Sequence, residues 1–176
     1  MEKALSNFAS KLNWRLIAVH FAACWLFIYA FKELVILHDF SFWMSMINHS
    51  KSWFKTPTNW DYDVSRLRSN FMWLNLSGCA GFLIAFFISI MITIKKHWFW
   101  VNSLIVFLIG CALGMSNLLG WDYLKYIFLA PGHFFKFDSI WYFIVNGTVM
   151  LVIALLLFFL KIIRRFVSPT NNPGNI

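Results

Sequence analysis

The chain has 176 residues, of which 60% are hydrophobic, 20% are aromatic and 12% are charged. A soluble domain carries roughly a quarter charged residues and about half apolar residues. The composition therefore excludes an ordinary soluble domain, a disordered chain and a disulfide scaffold, and it indicates an all-α integral membrane protein. The net charge of +8 has no soluble basic domain to present it, so we expect no direct contact with nucleic acid.

Four apolar runs approach the roughly 20 residues that a helix needs to cross a bilayer. In chain order they cover residues 16–37, 71–94, 98–121 and 140–160. Lys32 and Glu33 interrupt the first run, so an end at Phe31 is the alternative. We predict one four-helix membrane domain over residues 1–165 and a flexible cytoplasmic tail, rich in Pro, Asn and Gly, over residues 166–176.

Positive charge is divided unequally between the two sides of these spans. The side with both termini and the Lys95-Lys96-His97 turn carries a net charge of +7, and the other side carries +1. Lys and Arg near span ends are retained on the cytoplasmic side of a membrane. We therefore predict that both termini are cytoplasmic.

The two outer loops are rich in aromatic residues. In the first, over residues 38–70, the apolar side chains of Phe40, Trp43, Met44 and Ile47 recur at helical spacing. This pattern predicts a short helix that lies in the outer interface. The second loop, over residues 122–139, has a similar composition interrupted by Pro131 and Gly132. We interpret both as an aromatic belt at headgroup level, and a partner-binding surface is the alternative.

Small residues form stripes on two spans. The second span carries four of them at a strict spacing of four, namely Ser77, Gly81, Ala85 and Ser89, and the third span carries Gly110 and Gly114. Helices in lipid associate by close packing, which small residues permit. The stripes favour a homo-oligomer, and packing within one chain is the alternative.

Polar residues fall into two layers when the spans are aligned. At 1.5 Å per residue, the outer layer lies roughly 6–12 Å from the midplane and the inner layer roughly 9–11 Å from it. Asn75, Asn117 and Asn146 form the outer layer, and His20 and Asn102 form the inner layer. We interpret them as hydrogen-bonding groups between helices. The alternative is a polar lining in a small oligomeric pore.

Motifs for catalysis are absent from the sequence, which has no HExxH, GxSxG, P-loop or GxGxxG pattern. Several polar loop residues could in principle form a metal or acid–base site, but their spacing does not match metal-ligand patterns. They are His38, Asp39, His49, Asp61, Asp63 and His133. We expect solvated side chains here, no cofactor and no metal, and hence a non-catalytic protein. A membrane enzyme that acts on lipid headgroups is the competing hypothesis.

Small four-span proteins with both termini inside, rich in Phe, Ile, Lys and Asn, recur among anti-phage defence genes. The chain resembles the membrane subunit of the Kiwa defence pair in length, number of spans and lack of a catalytic motif. The likeness covers the whole chain and rests on architecture, so no functional residue is carried over. It implies an oligomeric sensor of phage entry in the bacterial inner membrane that holds a soluble, DNA-binding partner on the cytoplasmic face.

If the resemblance holds, the basic residues on the predicted cytoplasmic side form the natural docking surface for that partner. This basic rim comprises Arg15, Lys95, Lys96, Lys161, Arg164 and Arg165. The alternative is that the rim only sets the orientation of the chain in the membrane.

Overall fold

The structure is a computed structural model that describes residues 11–49, 60–115, 131–136 and 139–167. All regular secondary structure in these ranges is helical. The α-helices are α1 (Trp14–Val35), α2 (Phe40–His49), α3 (Trp60–Lys95), α4 (Val101–Met115), α5 (Ile140–Phe159) and α6 (Lys161–Val167). Two short 3-10 turns cover Ile36–Asp39 and Pro131–Phe134.

Three helical segments are long and apolar enough to cross a membrane: Trp14–Met46, Val64–Lys95 and Ile140–Phe159. The described part of α4 contributes a shorter apolar helix, Val101–Gly114, and the rest of the predicted span over residues 98–121 extends into residues outside the described ranges. The all-helical class is confirmed, and the three long helices indicate a multi-pass membrane protein. The fourth span and the location of the termini stay predictions.

Helix α1 occupies the centre of the bundle. Helices α3, α4 and α5 all pack against it, whereas α3 and α5 barely touch each other. Every residue from Ala23 to Ala30 is buried, so the middle of α1 is covered on all sides. A helix that is apolar around its whole circumference is suited to this position.

Glycines allow two neighbours to approach α1 closely. A Cβ atom added to Gly81 of α3 would lie 2.7 Å from the carbonyl oxygen of Phe27, and one added to Gly147 of α5 would lie 2.6 Å from Leu34 Cγ. Both distances are shorter than real Cβ contacts. The backbones of α3 and α5 therefore reach α1 only because these positions have no side chain.

The predicted small-residue stripe is used in this packing within the chain. Gly81, Ala85 and Ser89 are buried, and Ser77 at the start of the stripe is half-buried. On α4, Gly110 packs against the ring of Phe82 on α3, and a Cβ atom there would have to displace that ring. Gly114 is exposed. The contacts of Gly81 and Gly110 are thus contacts within one chain.

Helix α3 begins eleven residues earlier than the apolar span predicted from residue 71. Its backbone is helical from Trp60, through a polar stretch that contains Arg66 and Asn70. Hydropathy marks where a helix leaves the hydrocarbon, whereas backbone hydrogen bonds can continue the helix beyond that point. The outer loop is accordingly shorter than the predicted range of 38–70.

The basic turn between α3 and α4 takes more residues than the sequence predicts. His97 adopts a left-handed conformation with φ of 54°. Its N–H donates to Ile94 O at 3.0 Å, and that of Trp98 donates to Thr93 O at 3.0 Å. These two bonds form a Schellman cap on α3. Because residues 96–98 are used in the cap, α4 begins at Val101 and not at the predicted Trp98.

The predicted interfacial helix is present as α2. Its Met44 packs in a cluster with Tyr142 and Phe143 of α5, and Phe40 and Trp43 border the same cluster. Phe42, which the helical pattern left out, is nevertheless 2% exposed. At the other end of the chain, α6 extends through Val167 and so includes the first two residues of the predicted tail.

Substitution of Gly81 by Ile should destabilise the individual chain, because the isoleucine side chain would push α3 away from the backbone of α1 at Phe27. We expect a lower thermal midpoint in detergent and loss of monodisperse protein, by an overpacking cost of about 1–3 kcal/mol or more. Ala80→Ile is the matched control, because Ala80 is exposed one residue earlier. Equal midpoints for the two variants would contradict the packing described here.

Candidate functional site

Asn13 joins three elements at the end of the bundle where α1 begins. Its side-chain oxygen caps α1 by accepting from Leu16 N at 3.1 Å. Its backbone N–H donates to Asn102 Oδ1 at 2.9 Å, and its Nδ2 donates to Val167 O at 2.5 Å. We call this group of Asn13, Asn102 and Val167 the Asn13 clasp. It holds the starts of α1 and α4 and the end of α6 together, and we call this the basic end of the bundle.

The predicted basic rim converges on this end. Lys95 and Lys96 lie at the end of α3, Arg15 lies in the first turn of α1, and Lys161 and Arg165 lie on α6; all five are exposed. The guanidinium of Arg15 lies 5.0 Å from the centre of the Phe166 ring, which links α1 to α6 again. The side chain of Arg164 is outside the described part of the structure. The fold therefore assembles one positively charged surface from three helices.

A chain of buried polar groups lies next to this end, between α1, α3 and α4. His20 Nδ1 is 2.7 Å from Ser89 Oγ, Ser89 Oγ is 3.0 Å from Ser103 Oγ, and Thr93 Oγ1 is 2.9 Å from Ser103 Oγ. None of the four side chains is more than 3% exposed. We call these four residues the hydroxyl network.

The direction of the bonds in the hydroxyl network follows from its last member. The Thr93 hydroxyl donates to the Ser89 carbonyl at 2.8 Å, so its single proton is used there. Ser103 must then donate to Thr93, and Ser89 must donate to Ser103. Ser89 is left to accept from His20, which assigns the proton to Nδ1 of the imidazole.

The two predicted polar layers have different fates. His20 and Asn102 of the inner layer are both buried and hydrogen-bonded, but to separate partners. In the outer layer, Asn146 is fully buried and accepts from Gly132 N at 2.6 Å, whereas Asn75 is exposed on the outside of α3. The layer thus does not form around these two asparagines. Asn117 lies outside the described residues.

The sequence patterns above do not predict the hydroxyl partners of His20. The small-residue stripe accounts for Ser89 by close packing alone, and no predicted pattern includes Thr93 or Ser103. Ser89 and Thr93 lie one helical turn apart on α3, and the tight turn brings Ser103 of α4 beside them. The sequence signal for this network is a pair of hydroxyl residues one helical turn apart shortly before a tight turn, with a third hydroxyl residue shortly after it.

At the opposite end of the bundle, Asp39 binds Arg66 of α3. Arg66 donates from Nε to Oδ2 at 2.8 Å and from Nη2 to Oδ1 at 2.5 Å, which is a bidentate pair. Asn70 Nδ2 donates to the same carboxylate at 2.9 Å, and the guanidinium lies 5.3 Å from the Phe42 ring centre. The prediction that Asp39 is a solvated loop residue is therefore wrong. The side chains of His49, Asp61, Asp63 and His133 lie outside the described part.

A pocket of about 250 Å³ adjoins this ion pair. Ser65, Ser69 and Trp73 of α3 line it together with His38 and the pair itself. The carboxylate of Asp39 offsets the charge of Arg66, so the pocket presents hydrogen-bonding groups more than net charge. No group of three His, Cys, Asp or Glu side chains in the described ranges is arranged as a metal site.

Comparisons with known proteins add no relative to these observations. No family model, no curated protein and no solved structure matches the chain. Function is therefore argued from the contacts, charges and exposed surfaces of the chain itself.

Removal of the Ser89 hydroxyl should destabilise the bundle, because it leaves the N–H of His20 and the start of the Ser89–Ser103–Thr93 chain without a partner. We expect Ser89→Ala to cost about 1–3 kcal/mol in unfolding measurements in detergent. Ser77→Ala is the control, because its hydroxyl donates within its own helix to Leu74 O. The double variant His20→Phe, Ser89→Ala should be more stable than Ser89→Ala alone, because it no longer leaves the His20 N–H unpaired. A result in which both serine variants behave alike would refute the network.

Arg66→Lys should loosen α2 while the rest of the bundle stays intact. Lysine keeps the charge but cannot form the bidentate pair or place a planar group on Phe42. We expect hydrogen exchange in Phe40–His49 to accelerate several-fold, in line with about 1 kcal/mol for a partly exposed ion pair. Arg68→Lys, at an exposed position two residues away, should leave exchange unchanged. Equal acceleration in α5 would show general destabilisation instead.

Proposed function

We propose that this chain is a non-catalytic, multi-pass membrane subunit that forms an oligomer and uses the basic rim to hold a soluble partner at the membrane, as an anchor or sensor. The observation that carries the proposal is the convergence of exposed basic residues from α1, α3 and α6 at one end. The partly buried hydrogen bonds of the Asn13 clasp hold α1, α4 and α6 together at this end. A positive surface of this kind attracts acidic partners and orients them.

The central helix supports a sensing role. Helix α1 begins at the Asn13 clasp, and the 3-10 turn that follows it carries Asp39 of the ion pair at the opposite end. One continuous helix therefore connects the basic rim to the aromatic α2 region. A displacement of α2 would act on the same element that organises the rim.

The outer face of α3 supports assembly into an oligomer. This face exposes large apolar side chains, including Leu76, Leu83 and Phe87, together with the polar Asn75. An amide inside an apolar surface gains most when a neighbouring helix supplies a hydrogen-bond partner. A second copy of the chain is the partner that we propose for this face.

The resemblance to the membrane subunit of the Kiwa pair fits this reading. In that case the chain would sit in the bacterial inner membrane, sense phage entry, and hold its effector on the cytoplasmic face. The aromatic α2 region would then face the outside. This assignment is part of the proposal and rests on architecture.

The rim is tested by purification in mild detergent, native mass determination and crosslinking at lysine. We expect a homo-oligomer that carries a stoichiometric soluble protein crosslinked to Lys96 or Lys161. The triple variant Lys96→Glu, Lys161→Glu, Arg165→Glu should co-purify with at least tenfold less of that soluble protein and keep its oligomeric mass. Lys136→Glu, at an exposed position outside the rim, is the control.

Two outcomes would overturn the anchor proposal. The first is that the triple variant retains its partner as the wild type does. The second is an oligomer without a partner that conducts ions in planar bilayers, which would support the small pore instead.

A further inference from the structure

An open groove separates α3 and α5 near the basic end. Both helices pack on α1 but hardly contact each other, so the space between them is not filled by the described part of the chain. The groove has a volume of about 510 Å³. Its lining comprises Ile88, Met91, Ile92, Ile94, Lys95 and Phe159. Apart from the Lys95 ammonium, these side chains are apolar.

The groove lies in the last turns of two membrane-crossing segments. Its α3 wall belongs to Val64–Lys95, and Phe159 is the final residue of Ile140–Phe159. Within lipid such a groove is filled by an apolar group. Lys95, at the end of its segment, can lay its carbon stem along the groove and keep its charge at headgroup level.

The mouth of the groove is positively charged. Leu160, with ψ of 128°, interrupts the helix directly after Phe159, and Lys161 then begins the short basic helix α6. The sequence contains no acidic residue from Val64 to Trp121 or from Ser139 to the C-terminus. Therefore no acidic side chain reaches Lys95 from α5, from α6 or from the part of α3 that begins at Val64. A ligand with an apolar tail and an anionic head complements this arrangement.

We propose that the groove binds one anionic phospholipid per chain, with an acyl chain along Met91 and Phe159 and the phosphate at Lys95. A second copy of the chain is a poorer occupant, because its own basic end would bring like charges to the mouth. The groove shares Lys95 with the basic rim. The test of partner docking changes Lys96, Lys161 and Arg165 and leaves Lys95 in place, so failure of one proposal is distinguishable from failure of the other.

The test is native mass spectrometry of delipidated protein, titrated with phosphatidylglycerol or with phosphatidylcholine of the same acyl chains. We expect one phosphatidylglycerol per chain, bound at least tenfold more tightly than phosphatidylcholine. Met91→Trp should fill the groove and reduce phosphatidylglycerol binding by at least tenfold. Met72→Trp is the control for this variant. Both methionines are exposed on the same helix, Met72 by 52% and Met91 by 68%, but only Met91 lines the groove.

Lys95→Gln should remove most of the preference for phosphatidylglycerol, whereas Lys96→Gln, next to it, should retain the preference. The proposal is overturned if Met91→Trp binds lipid as the wild type does, or if the two lysine variants lose the preference equally. A change in subunit number with Met91→Trp at unchanged lipid binding would also overturn it, because the groove would then hold a second copy. Thermal midpoints of all four variants in detergent verify that they are folded.

Discussion

Close packing around α1 is the constraint on which the rest of this structure depends. Lipid offers no hydrophobic gain when two apolar helices meet, so their association relies on contact between well-fitted surfaces. Gly81 and Gly147 let α3 and α5 approach the α1 backbone from two directions. Helices α3 and α5 each pack on α1 but hardly contact each other, and the groove lies between them.

Buried polar groups determine how the helices are rotated and shifted relative to one another. A polar side chain in hydrocarbon has no water to bond, so its partner must come from the protein. The hydroxyl network ties α1 to α3 and α4, and its bond directions leave Nδ1 of His20 as the donor. The Asn13 clasp adds α6 to the same end. Together these bonds bring the basic residues of three helices to one surface, on which the proposed docking function rests.

The surfaces that remain open suggest different partners. The outer face of α3 is broad and apolar, with Asn75 as an isolated amide, and it suits another helix. The groove at the basic end is narrow and ends at a lysine, and it suits a lipid. The basic rim itself is exposed, and it suits an acidic protein surface. Each partner follows from the shape and charge of one region, so the three interactions can be tested separately.

Several features of this protein follow from the sequence alone. The apolar runs predict the long helices, the spacing of Phe40, Trp43 and Met44 predicts α2, and the Lys95-Lys96-His97 sequence predicts a tight turn. These predictions succeed because they depend on local properties, namely hydropathy, helical periodicity and turn composition. The basic rim is predictable for the same reason, since charges beside span ends gather wherever those ends meet.

Only the tertiary structure decides which surfaces meet. The periodicity of Ser77, Gly81, Ala85 and Ser89 shows that one side of α3 carries small side chains, but that side could face α1 or another chain. The Asp39–Arg66 pair joins residues that the aromatic loop separates, and its Arg66 lies in the polar first part of α3, before the predicted span. Asn75 and Asn146 have a similar predicted depth, but Asn75 is exposed and Asn146 is buried. Contacts between distant segments determine which helices become neighbours and how each helix is rotated, and no local sequence pattern encodes those contacts.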